Sequence, residues 1–114
     1  MTPTASSPIA IDPERMRQHA DDAARLLKTL GNEQRLMILC LLAEHERPVN
    51  ELNALLDLSQ SALSQHLAVL RNEQMVQTRR EAQSIIYSLA PGPAAKVIGT
   101  LHGIYCGSPE AHTH

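Results

Sequence analysis

Residues 36–43 read LMILCLLA, eight apolar residues in succession. A helix that is apolar all round needs to be enclosed on most sides by other elements. Eight residues also fall far short of the roughly 20 needed to span a bilayer, and no other apolar run in the chain is longer. The stretch therefore predicts a central core helix with the rest of the chain arranged around it. A chain of 114 residues has room for one domain and one modest core.

The flanking residues show how that helix is wrapped. Met16, Ala20, Ala23, Ala24 and Leu27 recur at helical spacing, which predicts a helix over 13–29 with Asp12 as its cap and Pro13 in its first turn. Gly31 and Asn32 interrupt the pattern, and the central helix follows over 33–45. After Pro48 a short helix over 49–57 is expected to turn Val49, Leu52, Leu55 and Leu56 inward. Leu58 and Ser59 form a tight turn, and Ser59 caps a fourth helix running through Glu73. Beyond Met75 the period changes from helical to alternating. VQTRR at 76–80 and SIIYSL at 84–89, joined by EAQ at 81–83, predict an antiparallel hairpin. After Pro91, Gly92 and Pro93, helical spacing returns over 94–106 through Ala94, Val97, Ile98, Leu101 and Tyr105. The expected fold is mainly α with a small β-hairpin wing: a winged helix-turn-helix of five helices and a two-stranded antiparallel wing. The ordered domain is expected over 13–106, with loose tails at 1–12 and 107–114.

The fourth helix carries the clearest chemistry. Leu63, Leu67 and Leu70 make one stripe, and Ser61, Ser64, Gln65 and Ala68 the opposite one. Small hydroxyl and amide side chains can approach base edges and phosphates closely, and Gln can pair bidentately with adenine. Residues 12–58 hold nine acidic and six basic residues, yet 58–72 contain no Asp or Glu. Repulsion from phosphate would require such an acid-free surface. Gln60, Ser61, Ser64, Gln65 and His66 are the candidate DNA contacts, His66 being equally able to buttress the helix. Arg71, Arg79 and Arg80 are candidate phosphate or minor-groove contacts, and Gln83 stands at the wing tip. One such domain touches few phosphates, so a homodimer on a palindromic double-stranded operator is expected. The first and last helices, whose apolar stripes lie outside the DNA-reading unit, would form its interface.

Composition excludes other classes. The net charge of −2 gives no basic footprint for the chain as a whole, so DNA binding has to be local. Tyr87 and Tyr105 are the only aromatic residues, too few for reading single strands by stacking. The N-terminus, MTPTASSPIAIDPERM, lacks a basic start and an apolar stretch, so no secretory signal or membrane partner is expected, and the location is taken as cytoplasmic. Two distant cysteines, Cys40 and Cys106, cannot make a four-thiolate zinc finger or a disulfide-rich scaffold.

Three segments, LLKTLGNEQRLMIL (26–39), ELNALLDLSQSALSQHLAVLR (51–71) and TRREAQSIIYSL (78–89), resemble the ArsR/SmtB family of bacterial repressors. Within it they are similar to the BigR/SqrR/YgaV/HlyU group. The resemblance implies a homodimeric winged helix whose inducer weakens operator binding. It also implies a role for the cysteines, since the group carries one in the second helix and one near the end of the last. Cys40, in MILC, and Cys106, in GIYC, stand at those positions. Dithiol members sense persulfide and related reactive sulfur, so the pair implies a redox switch closed by a di- or polysulfide cross-link. A direct disulfide requires Cα atoms within about 7 Å; extra sulfur atoms would fill a wider gap. Taken singly, each thiol reads as an ordinary helix residue. His102, one turn before Cys106, either lowers its pKa when protonated or simply packs.

Other readings have less to stand on. The six histidines are scattered, and the family's thiolate and last-helix zinc motifs are absent, so no metal or other cofactor is expected. Haem- or metal-responsive repression, or an antirepressor that displaces another DNA-binding protein, are the alternatives. No general base, anion loop or oxyanion donor set points to an enzyme.

Overall fold

Three of the five helices among the described residues start where a side chain accepts from an unsatisfied first-turn amide. The computed structural model describes residues 12–105. In α1 (Pro13–Leu30) the Asp12 carboxylate accepts from the Glu14 amide at 3.1 Å, with Pro13 at the first position. Asp12 is thus the cap expected of it; residues 1–11 and 106–114, which hold the rest of the expected tails and Cys106, lie outside the described residues. In α2 (Glu33–Glu44) the Asn32 side chain accepts from the Arg35 amide at 3.0 Å. The short α3 (Val49–Leu55) follows Pro48. In α4 (Gln60–Asn72) Ser59 Oγ accepts from the Ala62 amide at 3.1 Å. The last helix, α5 (Pro93–Tyr105), again opens on a proline.

The end of α4 carries no glycine, and the chain still closes it in the left-handed manner. Gln74 adopts φ 61°. Its amide donates to the Arg71 carbonyl at 3.0 Å, while the Met75 amide donates to the Leu70 carbonyl at 2.9 Å. These two bonds define a Schellman motif, and its usual apolar contact comes from Met75 and Leu70, both buried. The motif turns the chain from α4 directly into the wing.

The sheet has one strand more than the sequence suggests. Strands β2 (Val76–Glu81) and β3 (Ser84–Leu89) form the hairpin, and β1 (Arg47–Pro48) joins on the far side of β3, giving the order β1-β3-β2. Arg47 stands opposite Tyr87 and Pro48 opposite Ile86. The hairpin turn is tighter than expected: Glu81 still pairs with Ser84, leaving Ala82 and Gln83 as the turn, with Ala82 at φ 57°. Two residues are too few to signal a strand by alternation, so β1 escaped the sequence reading.

Ile38, Leu39, Leu52, Leu63, Leu70 and Ile98 are fully buried and form the centre of the core. The all-round enclosure expected of α2 is only partial, because Met37 remains 44% exposed and Cys40 half-buried. Leu55, expected inward, is 52% exposed. The chain leaves α3 one residue later at an extended Leu56, which enters the core instead. The central helix likewise stops at Glu44, since His45 is extended and leads into β1.

Arg47 is the polar exception in this core, 6% exposed. Its guanidinium donates to the Leu41 carbonyl at 3.1 Å, to Glu44 at 2.8 Å and to Glu51. One side chain thereby ties the end of α2, the start of α3 and the edge of the sheet. Buried cations are tolerated only when paired and hydrogen-bonded in this way. Arg47→Met keeps the apolar stem and removes those bonds. The two carboxylates left behind are partly hydrated, so we expect a loss of about 2 kcal/mol, below that of a fully buried pair. In a thermal melt this is a fall of about 10 °C.

Candidate nucleic-acid interface and thiol site

The arrangement is a winged helix-turn-helix: α3, a turn, α4, and the β2–β3 hairpin. Leu63, Leu67 and Leu70 anchor α4 in the core. That anchoring turns Gln60, Ser61, Ser64, Gln65 and Ala68 outward, all exposed. His66 sits between the two stripes and is half-buried, a position that fits the buttressing role better than base contact. Arg71 is exposed in the last turn of α4. Arg80 is exposed on β2, and Gln83 on the wing turn.

Arg79 is exposed too, but it is engaged. Its Nη2 lies 2.6 Å from Glu46 Oε2, its Nε 3.3 Å from Glu46 Oε1, and its Nη1 3.6 Å from Glu81. The hydrogen bond from Arg79, reinforced by its charge, holds the Glu46 carboxyl below the usual carboxylate range. Arg71 and Arg80 have no carboxylate within ion-pair distance among the described residues. The three arginines grouped by the sequence reading therefore fall into two sets.

A second ion pair fixes α4 from behind. Arg25 of α1 makes a two-pronged contact with Glu73, Nε to Oε1 and Nη2 to Oε2, each at 2.9 Å. Glu73 is the C-terminal cap of α4. The first helix is thus tied to the end of the outward-facing helix.

Cys40 lies mid-way along α2, half-buried against the core cluster. Cys106 lies outside the described residues; Tyr105, just before it, ends α5 and is 76% exposed. The helices α2 and α5 pack on each other. They are joined by Glu44, one turn beyond Cys40, whose Oε2 lies 3.2 Å from Nε2 of His102. The same carboxylate holds Arg47 through Oε1. The hydrogen bond from His102, with the charge of Arg47 behind it, outweighs partial desolvation and holds the Glu44 carboxyl below its usual range. His102 therefore has a definite partner on α2, which the sequence reading did not foresee. Glu44, Glu46 and Glu73 join partners 33 to 58 residues away, and no local signal marks them. Among the described residues no group of three or more potential ligands could hold a metal ion, and no helix is long and apolar enough to cross a membrane.

Comparison with known proteins agrees with this geometry. The model of the family described as "Bacterial regulatory protein, arsR family" matches residues 32–78. The chain is 47% identical over 93 residues to the transcriptional activator HlyU of Vibrio cholerae, covering 82% of this chain and 86% of that protein. It is 48% identical over 95 residues to the biofilm growth-associated repressor of Agrobacterium fabrum, covering 83% and 81%. The crystal structure of the transcriptional repressor BigR from Xylella fastidiosa superposes with a TM-score of 0.78 at 38% identity, over 90% of this chain and 99% of that one.

The depressed Glu44 carboxyl has a pH signature. A carboxylate with a lowered folded pKa contributes stability above its unfolded value of about 4.3, and that contribution disappears as pH falls through the folded value. Glu44→Gln is expected to melt below the wild-type protein at pH 5. The gap should close as the pH is lowered through and below the unfolded value, as read from paired melting curves.

Proposed function

The chain belongs to the arsR family of bacterial regulatory proteins, and from that premise we propose a homodimeric, DNA-binding transcriptional repressor controlled by the oxidation state of Cys40 and Cys106. The observation that carries the DNA-binding reading is the outward face of α4. Gln60, Ser61, Ser64 and Gln65 are exposed on an acid-free helix whose opposite face is locked into the core. In this reading Gln65 and the serines read base edges in the major groove, Arg71 and Arg80 hold phosphates, Gln83 brings the wing to the backbone, and His66 supports the helix.

Dimerisation is supported by the apolar groups that the fold leaves uncovered. Met16 and Leu27 of α1, and Ile104 and Tyr105 of α5, are large apolar side chains more than 45% exposed. Two copies joined through these helices would place two α4 helices on half-sites about 34–36 Å apart.

The sulfur switch is supported by the placement of Cys40 on α2 and by the sequence position of Cys106, immediately after α5. One thiolate attacks the outer sulfur of a low-molecular-weight persulfide, becomes a protein persulfide and releases the carrier thiolate. The second thiolate attacks the protein-bound sulfur of that persulfide and expels hydrosulfide. Both electrons given up by the two cysteines leave on the carrier thiolate and the hydrosulfide. Polysulfide donors leave additional sulfur atoms in the bridge. A cross-link between α2 and α5 would act on the two elements that join the core to the dimer face, and so on the spacing of the two α4 helices.

A second reading has a specific observation in its favour: one relative is named an activator and another a repressor. A protein that displaces another DNA-binding protein would activate with the same chemistry, and footprinting on the native promoter separates the two.

Gln65→Ala should reduce discrimination between operator and unrelated DNA by about 1–3 kcal/mol, whereas Arg71→Gln should weaken both equally and lower the salt slope by about 1. Titrations in several salt concentrations measure both. For the switch, polysulfide should release the wild-type protein from operator DNA and leave Cys40→Ser and Cys106→Ser bound. Release of either variant would sink the dithiol mechanism.

A further inference from the structure

We infer that Glu46 is a specificity-determining residue of the DNA interface, which withholds the wing cation Arg79 from the phosphate backbone. The inference rests on the DNA-binding reading above and adds a residue that carries no DNA contact itself.

Glu46 belongs to the short link between α2 and β1, and Arg79 to the middle of β2, 33 positions later. The sheet register brings them together. Pro48 and Arg79 both stand opposite Ile86, one on each side of β3, so the three share one face of the sheet. The residue two before Pro48 then reaches the Arg79 guanidinium with both carboxylate oxygens, at 2.6 and 3.3 Å. Glu81, two residues along β2 and on the same face, adds a second carboxylate at 3.6 Å. The guanidinium is thus matched by two negative charges before any DNA arrives.

The consequence follows from counterion release. DNA affinity falls with salt by about 0.9 of a logarithmic unit for each phosphate neutralised. An arginine already neutralised by a carboxylate adds little to that count, because it must exchange one anion for another. Arg79 and Glu46 are both half-exposed, so the pair is a modest one of the surface type, strong enough to bias the arginine and not to lock the fold. Arg71 and Arg80, without such partners, remain available on every DNA sequence. Keeping the third arginine occupied lowers sequence-independent affinity, and the ratio of specific to non-specific binding rises accordingly.

The test uses the full chain and a 30-base-pair duplex of mixed sequence, titrated from 50 to 300 mM salt. Wild type, Glu46→Gln and Glu46→Gln/Arg79→Gln are compared. Glu46→Gln should bind several-fold more tightly, with a slope steeper by up to about 0.9, since Glu81 keeps a weaker hold on Arg79, and the double variant should return to the wild-type slope. A steeper slope that persists in the double variant would mean that loss of a negative charge, not release of Arg79, caused the change, and would overturn the inference. So would an unchanged or weaker Glu46→Gln. A wild-type protein that fails to bind the duplex at any salt would overturn the DNA-binding reading along with it, whereas the other two outcomes leave that reading intact.

Discussion

The buried guanidinium of Arg47 is the constraint on which the rest of the structure depends. A cation 6% exposed is stable only if its donors are matched, and here the matching groups come from different elements. Glu44 and the Leu41 carbonyl belong to α2, Glu51 to α3, and Arg47 itself to β1 beside Tyr87 of β3. Satisfying one side chain therefore fixes where α2 ends, where α3 begins and where the sheet edge lies. The fold pays stability for this when either partner is lost, and gains a single geometry for the junction of helix and wing.

From that junction two further contacts reach outward. Glu44 uses its second oxygen to hold His102 of α5, so the helix that carries Cys40 is joined by polar groups to the helix that precedes Cys106. Glu46, two residues further on, holds Arg79 of the wing. The last residue of α2 and the link that follows it, 44–46, are thus in touch with the last helix, the buried arginine and the wing. On the opposite side, Arg25 and Glu73 tie the first helix to the end of α4. The helix that carries Cys40, the last helix and the DNA-facing elements are connected through short charged contacts as well as through apolar packing.

Much of the fold was legible because periodicity and caps are local. Asp12 and Ser59 marked two helix starts, and the leucine stripe of α4 marked which of its faces is outward. The hairpin was visible in its β-branched residues, although its pairing runs one residue further, to Glu81 and Ser84, than the sequence implied. Three features were not legible. The two-residue strand β1 is defined only by its pairing with β3. The left-handed Gln74 stands where glycine would have announced a helix end. The state of Arg79 depends on a carboxylate 33 residues away.

The amino-acid sequence by itself determined the order of the five helices and the hairpin, the acid-free polar face of α4 and the two cysteine positions, because each is written in neighbouring residues. The tertiary structure alone decided which charged groups meet. It divided three similar arginines into one that is paired with Glu46 and two that are not, gave His102 its partner on α2, and left part of the central apolar helix uncovered at Met37. Those outcomes depend on register and on which helix packs where, and neither is encoded in any one segment.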